Sequence, residues 1–264
     1  MLHFLWNIDP VLLQLGPLEL RWYGLLFAGG ILAAYAAGAR SFERAGGSRE
    51  EANRLLVYVV VGTVVGARLG HCLLYEPAYY LSHPLEILAV WRGGLASHGG
   101  AVGIVVAVWL YARRAGRDLL WLLDRVAVAA PVAAASIRVG NFFNSEIVGR
   151  PSTVPWAVVF DRVDALPRHP AMLYEAAAYL VTFMVMLTLD RRLKVRERRG
   201  ALTGILLVLV FSARFAIEFL KEPQEAFEAA LPLDLGQLLS LPAVLIGLLL
   251  LRLAWRTSRA VPGS

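Results

Sequence analysis

The residues best suited to chemistry in this sequence lie where long apolar runs end. Residues 136–150 read SIRVGNFFNSEIVGR and directly follow the apolar run VAVAAPVAAA. The stretch holds Arg138, Asn141, Asn144, Glu146 and Gly149, which offer hydrogen bonds but no covalent nucleophile. Guanidinium groups bind phosphate oxygens through paired hydrogen bonds, and such contacts strengthen where water is excluded. A polar surface loop and an anion site at a membrane boundary both fit this pattern.

Five further polar clusters interrupt or border apolar runs in the same way. They are RWYG (21–24), GARLGHC (66–72, with Arg68), GGLASHGGAVG (93–103, with His98, Gly99 and Gly100), HPAMLYE (169–175, with Tyr174 and Glu175) and ARFAIEFLKEP (213–223, with Arg214 and Glu218). Charged groups in hydrocarbon cost roughly 2.5–3.5 kcal/mol each, so they usually mark a site, a wet cavity or a mutual pair. Glu175 in particular needs a partner.

Each cluster has a structural alternative that the residues leave open. The glycines around His98 form a turn at the start of a helix, or the N–H groups there hold an anion. Arg214 and Glu218 stand four residues apart, so they neutralise each other, or the carboxylate orients the guanidinium toward a ligand. Tyr23 is either an interfacial aromatic anchor or part of the site.

The composition indicates that membrane-spanning helices position these clusters. The chain has 264 residues, of which 58% are hydrophobic and 17% charged, and its mean hydropathy is +0.59; soluble domains carry about 25% charged residues. Runs that approach the roughly 20 residues needed for a span predict an all-α polytopic protein with about seven transmembrane helices. They lie at about 20–39, 55–75, 99–112 (short, extended by 85–91), 119–139, 172–190, 201–220 and 236–255.

The formal net charge of +6 follows a membrane pattern rather than a nucleic-acid one. Basic residues concentrate in alternate loops, at 40–54, 113–117, 191–199 and the tail. By the positive-inside rule these loops are cytoplasmic, which puts the N-terminus outside and the C-terminus inside. We therefore expect no nucleic-acid partner. With this topology, all six polar clusters fall on the outer side.

Several classes of protein are disfavoured. The sequence has no Walker loop, HExxH, CxxC or nucleophile elbow, and its one cysteine, Cys72, allows no intrachain disulfide or thiolate metal cluster. The opening MLHFLWNIDP lacks the features of a removable signal peptide. Without a repeated half, a transporter is disfavoured. We expect one integral-membrane domain, 1–264, whose loops at about 76–98, 140–171 and 221–235 form a small head over the bundle.

Taken in order, the motifs resemble those of the prolipoprotein diacylglyceryl transferases. RWYG, GAR, W-x-GGLxSHGGxxG, R-x-GNFxNxExxGRP, RHPxxLYE and RFxxEFxxEP span about residues 9–224. The resemblance implies a bacterial inner-membrane enzyme with its active site toward the periplasmic leaflet. Such an enzyme transfers the sn-1,2-diacylglyceryl group of phosphatidylglycerol to the lipobox cysteine of a prolipoprotein signal peptide, forms a thioether and releases glycerol-1-phosphate. No metal or other cofactor is implied.

The resemblance also implies roles for individual residues. Arg138 and Arg214 would hold the lipid phosphate, and His98 would act as a base or position the substrate. Asn141, Tyr23 and Glu218 complete the expected catalytic set. The expected substrate-binding set adds Arg68, Gly99, Gly100, Asn144, Glu146, Gly149, Tyr174 and Glu175. Glu146 and Arg150 are expected to brace the turn after residue 144, and Gly149 is expected to let the backbone pass.

Four positions depart from the family pattern. Met172 stands where the family usually has Gln, Arg92 where an acidic or amide residue is common, and Val210 where a tyrosine often precedes the second arginine. Ser136-Ile137 replaces a glycine next to Arg138. A non-catalytic scaffold derived from such an enzyme would be expected to lose Arg138, Arg214 or His98, and this sequence retains all three.

Overall fold

The structure is a computed structural model that describes residues 3–90, 93–222 and 233–257. It is mostly helical. The helices are α1 (Trp22–Arg44), α2 (Arg49–Leu74), α3 (Pro77–Ser82), α4 (Ser97–Ala115), α5 (Leu119–Asn144), α6 (Ala171–Asp190), α7 (Leu193–Arg196), α8 (Ala201–Glu218) and α9 (Leu235–Thr257), with a 3₁₀ turn at Pro84–Leu88. The strands are β1 (Phe4–Trp6), β2 (Val11–Leu15), β3 (Leu18–Arg21), β4 (Val158–Phe160) and β5 (Pro167–Arg168).

Six of the long helices, α1, α2, α5, α6, α8 and α9, are long and apolar enough to cross a bilayer. The protein is therefore a polytopic helical membrane protein, as predicted. The short third span corresponds to α4, which has 19 residues and ends in Arg113 and Arg114. Its expected extension by residues 85–91 is wrong, because Pro84–Leu88 forms a separate 3₁₀ turn and α4 begins only at Ser97.

Two helices run past the apolar stretches that predicted them. Helix α2 begins six residues before the predicted 55, where the Ser48 side chain and Glu51 form a reciprocal capping box. Helix α5 continues past the predicted 139 to Asn144. Arg138 and Asn141 therefore lie on the last turns of a helix, and the loop proper starts after Asn144.

The chain divides into two compact units, Met1–Gly38 with Val126–Ser264, and Ala39–Arg125. The expectation of a single domain stays a prediction. The first unit contains both small sheets, which an all-α reading did not foresee: β1 pairs parallel with β4, β4 pairs antiparallel with β5, and β2–β3 is a hairpin. Most of the loop expected at 221–235 lies outside the described residues.

The segment after α5 has its own hydrophobic core in the first unit. Trp6 of β1 packs with Phe142, Val148, Val158, Phe160 and Met172, all buried. Ring centroids of Trp6 and Phe142 are 4.1 Å apart. This core joins strand β1, the end of α5 and the start of α6. It thereby sets the positions of the polar residues at the end of α5 and at the start of α6.

The second unit is built around a tight contact between α2 and α4. A Cβ on Gly99 would fall 2.2 Å from the carbonyl oxygen of Gly66, so the two backbones touch where neither residue has a side chain. Beside this contact lies an apolar cavity of about 750 Å³, lined by valines of both helices and, at the start of α4, by His98.

Candidate functional site

The carboxylate of Glu175 is the centre of a buried polar cluster in the first unit. Glu175 is 0% exposed at the start of α6. Its Oε2 lies 2.8 Å from Arg138 Nε, while its Oε1 lies 3.0 Å from Lys221 Nζ and 4.0 Å from Arg214 Nη1. Tyr179, one turn along α6, donates to Oε1 at 3.4 Å. The sequence analysis expected Glu175 to have a charge partner, and the structure gives it three: Arg138, Lys221 and Arg214.

A chain of hydrogen bonds runs outward from Arg138 along the end of α5. Arg138 Nη1 donates to Asn141 Oδ1 at 3.2 Å, and Asn141 Nδ2 donates to Glu146 Oε2 at 2.8 Å. Asn144 Nδ2 donates to the other oxygen of Glu146 at 3.0 Å. The chain turns back on itself because Ser145 and Ile147 take positive φ angles of 57° and 58°. Glu146 therefore orients the two asparagines.

Arg214 and Glu218 do not form the mutual pair that their spacing allowed. Among the described residues, the ion-pair partner of Glu218 is Lys221, at 3.0 Å, and the nearest carboxylate to Arg214 is Glu175. A Cβ on Gly236 would fall 2.5 Å from Glu218 Oε2, so this carboxylate lies against the first turn of α9. Unpaired N–H groups at a helix N-terminus favour a negative charge. Glu218 thereby joins α8 to α9.

Gly149 lies between two backbone segments with no space for a side chain. Its N–H donates to the His169 carbonyl at 2.9 Å, and the following N–H of Arg150 donates to the Leu220 carbonyl at 2.8 Å. A Cβ on Gly149 would fall 2.5 Å from the first oxygen and 2.7 Å from the second. The Arg150 side chain also donates to the Lys221 carbonyl at 2.8 Å. Arg150 and Gly149 thus hold the segment that carries Lys221.

Arg168 fastens the same segment from the other side. It donates to the Gly149 carbonyl at 3.2 Å and forms ion pairs with Asp164 and Glu222. The hydrogen bonds from Arg168 hold the pKa of the Asp164 carboxyl below its usual value. The same bonds raise the pKa of the Arg168 guanidinium. This pair is a structural clamp beside the cluster.

Tyr23 and Tyr174 border the cluster through neighbouring residues. The ring of Tyr23 packs on Gly140, where a Cβ would fall 2.8 Å from the ring. The hydroxyl of Tyr174 accepts a hydrogen bond from Trp156 Nε1 at 2.7 Å and lies 3.1 Å from His169 Nδ1. Both tyrosines are held in place by the end of α5 or by the loop that precedes α6.

The remaining predicted residues belong to the second unit. The guanidinium of Arg68, 3% exposed, donates to the carbonyls of Glu86, Ile87 and Gly93 at 2.6, 2.9 and 2.7 Å. This geometry supports a bracing role, and substrate binding by Arg68 stays a prediction. Gly99 is needed for the contact with α2, whereas a Cβ on Gly100 would meet its neighbours at an ordinary 3.6 Å.

The structure describes the surroundings of two of the positions that depart from the family pattern, Met172 and Val210. Met172 is 0% exposed inside the core with Trp6 and Phe142, an environment that suits a thioether. Val210 lies partly buried on α8, on the same helix as Arg214. Arg92 lies outside the described residues.

Sequence reasoning missed two members of the cluster, Lys221 and Tyr179. Lys221 was given no role in the sequence, although it stands in the polar cluster 213–223 and directly precedes its EP. Tyr179 lies inside an apolar helix, and its only signal was its spacing of four residues from Glu175.

The fold and the cluster together define a class of protein: a polytopic helical membrane protein with two partly buried arginines that converge on one buried carboxylate. Comparison with known proteins narrows this class. The family model described as prolipoprotein diacylglyceryl transferase matches residues 10–253, and the chain therefore belongs to that family.

Curated relatives agree along nearly the whole chain. A phosphatidylglycerol–prolipoprotein diacylglyceryl transferase of Tolumonas auensis is 50% identical over 250 residues, which cover 94% of this chain and 96% of the relative. The protein of the same name from Chloroherpeton thalassium is 47% identical over 250 residues, covering 94% and 93%. The one from Bacteroides fragilis is 43% identical over 255 residues, covering 92% of each.

Proposed function

We propose that this protein transfers the sn-1,2-diacylglyceryl group of phosphatidylglycerol to the lipobox cysteine thiol of prolipoproteins. This transfer is the first step of bacterial lipoprotein maturation. Family membership supports the reaction. The observation that carries the site is the convergence of Arg138 and Arg214 on the buried Glu175, at 2.8 and 4.0 Å.

The cluster suits a phosphodiester because its arginines are anchored without being enclosed. Arg138 commits Nε to Glu175 and Nη1 to Asn141, yet a guanidinium has five N–H donors. The side chains of Arg138 and Arg214 keep 13% and 19% of their surface exposed. Preorganised donors in a site of low dielectric stabilise charge that develops as a reaction proceeds.

The proposed reaction balances without a redox partner. The sulfur of the substrate cysteine attacks the glyceryl carbon that bears the phosphate, the carbon–oxygen bond breaks, and glycerol-1-phosphate leaves. The thiol proton ends on the leaving phosphate or on a base. A free thiol has a pKa near 8.5, so a base that takes this proton speeds the attack. His98 stays the predicted base or positioning group, with Tyr23, Asn141 and Glu218 as further predicted members of the site.

We further propose that the protein lies in the bacterial inner membrane with the cluster toward the periplasm. The basic loops support this orientation. Cys72 is the chain's only cysteine and is fully buried, so it can be kept, and labelling then reports on the cysteine that is introduced. A membrane-impermeant maleimide should label Val163→Cys in intact spheroplasts and Arg192→Cys only after permeabilisation. The reverse pattern would refute the orientation.

The activity itself is tested with purified protein, phosphatidylglycerol and a lipobox peptide. We expect the peptide to gain the mass of a diacylglyceryl group and glycerol phosphate to appear in equal amount. A peptide with Ser in place of the cysteine should gain nothing. Absence of product under conditions where one of the named relatives is active would refute the proposed function.

A further inference from the structure

Lys221 is the cation that joins the two buried carboxylates of the cluster. It lies three residues beyond the end of α8, yet only 2% of it is exposed. Its Nζ is 3.0 Å from Glu175 Oε1 and 3.0 Å from Glu218 Oε2. An ammonium has three N–H donors in a compact group, so it can serve two carboxylates at once.

The backbone around Lys221 is fixed independently of its side chain. Lys221 bridges Gly149 as an antiparallel pair, and its carbonyl accepts from Arg150 Nε at 2.8 Å. These bonds hold the backbone of Lys221 where its ammonium reaches Glu175 of α6 and Glu218 of α8. The position is therefore built into the fold.

Lys221 also decides the charge that the inner cluster presents. Arg138, Arg214 and Lys221 are three cations, and Glu175 and Glu218 are two carboxylates, which leaves a formal charge of +1. Glu146 lies outside this inner cluster, and its carboxylate accepts hydrogen bonds from the side-chain amides of Asn141 and Asn144. A phosphodiester carries one negative charge. Without Lys221 the inner cluster would be neutral, and Glu175 would draw Arg214 in from 4.0 Å.

We infer that Lys221 is a positioning residue for the anionic lipid. Its ammonium pairs with the carboxylates of Glu175 and Glu218. The guanidinium groups of Arg138 and Arg214 therefore stay directed at a phosphodiester. The inference rests on the proposed function, and it adds a residue that determines lipid affinity without touching the reacting atoms.

The test is the steady-state kinetics of Lys221→Met. The KM for phosphatidylglycerol should rise about tenfold or more, because a buried charge partner is lost. The kcat at saturating lipid should change less than about threefold, and the KM for the peptide should stay the same, because lipid binding and not the chemical step is affected. Lys221→Arg should recover most of the lipid affinity. Arg54→Gln removes the same formal charge from an exposed pair with Glu50 and should behave as the wild type.

A double variant separates charge from packing. Lys221→Met with Glu218→Gln restores the formal charge of the inner cluster, so its lipid KM should lie well below that of Lys221→Met. Should Lys221→Met fail to fold, Lys221→Arg and the double variant carry the test, and a large rise of lipid KM in both would overturn the inference. A folded Lys221→Met with wild-type lipid KM, or one that loses kcat alone, would also overturn it. An inactive wild type would instead overturn the proposed function.

Discussion

Arg138 Nε lies 2.8 Å from Glu175 Oε2, and this contact joins the last turns of α5 to the first turn of α6. Glu175 is 0% exposed, whereas the Arg138 side chain keeps 13% of its surface exposed. The buried carboxylate therefore orients the Arg138 guanidinium, and substrate binding by Glu175 itself stays a prediction.

Replacing the central carboxylate should disable the site. In Glu175→Gln, Arg138 faces a neutral amide, and Glu218 is the one carboxylate left to the three cations of the inner cluster. We expect kcat/KM to fall at least about a hundredfold, as when one partner of a buried charge pair is removed. Glu19→Gln, in an exposed pair with Arg21, is the matched control and should stay near wild type. An active Glu175→Gln would show that the arginines need no anchor.

Adding one methyl group at Gly149 should displace the segment that carries Lys221. The new Cβ would meet two backbone oxygens at 2.5 and 2.7 Å, and backbone atoms cannot move aside as a flexible side chain can. We expect Gly149→Ala to lose roughly 1–3 kcal/mol of stability and most activity. Gly29→Ala, in open space on α1, is the control. Thermal unfolding in detergent and the transfer assay measure both effects, and equal behaviour of the two variants would contradict the account.

Arg68 should act through the loop that it braces. Arg68→Met removes the side-chain donor from the carbonyls of Glu86, Ile87 and Gly93, of which Glu86 keeps a bond from the Ala89 N–H. We expect a loss of roughly 3 kcal/mol with faster proteolysis around residues 84–90. Arg68→Lys should not restore the loop, because one ammonium cannot replace the planar fork of donors. Unchanged unfolding with a raised lipid KM would show instead that Arg68 binds substrate.

The clamp between Asp164 and Arg168 should make stability depend on acidity. The pKa of Asp164 in the folded protein is lowered by the hydrogen bonds of Arg168, whereas an unfolded aspartate has a pKa of about 3.9. Stabilisation by the pair is therefore complete above about pH 4 and is lost as pH falls through the lower folded value. Asp164→Asn should lower the unfolding temperature at neutral pH and flatten its acid dependence. Asp161→Asn, at an exposed position nearby, should change neither.

The sequence predicted the helices and the site motifs because both depend on local patterns. Apolar runs located the long helices, and the motifs around Arg138 and Arg214 named residues that do meet at Glu175. Spacing alone did not decide the partner of Glu218, because Arg214 at i−4 and Lys221 at i+3 are both within reach, and the structure pairs it with Lys221. The strands β1, β4 and β5 have two or three residues each and depend on long-range contacts. Such contacts leave no periodic signal.

The role of Arg138 in lipid binding can be decided by comparing the wild type with Arg138→Ala in the transfer assay. Each folded protein is incubated with phosphatidylglycerol and a lipobox peptide, and the peptide mass is followed with time. The account predicts diacylglyceryl peptide from the wild type and none above background from Arg138→Ala. Near-normal transfer by a folded Arg138→Ala would contradict it, because the guanidinium that Glu175 anchors would then have no part in holding the lipid phosphate.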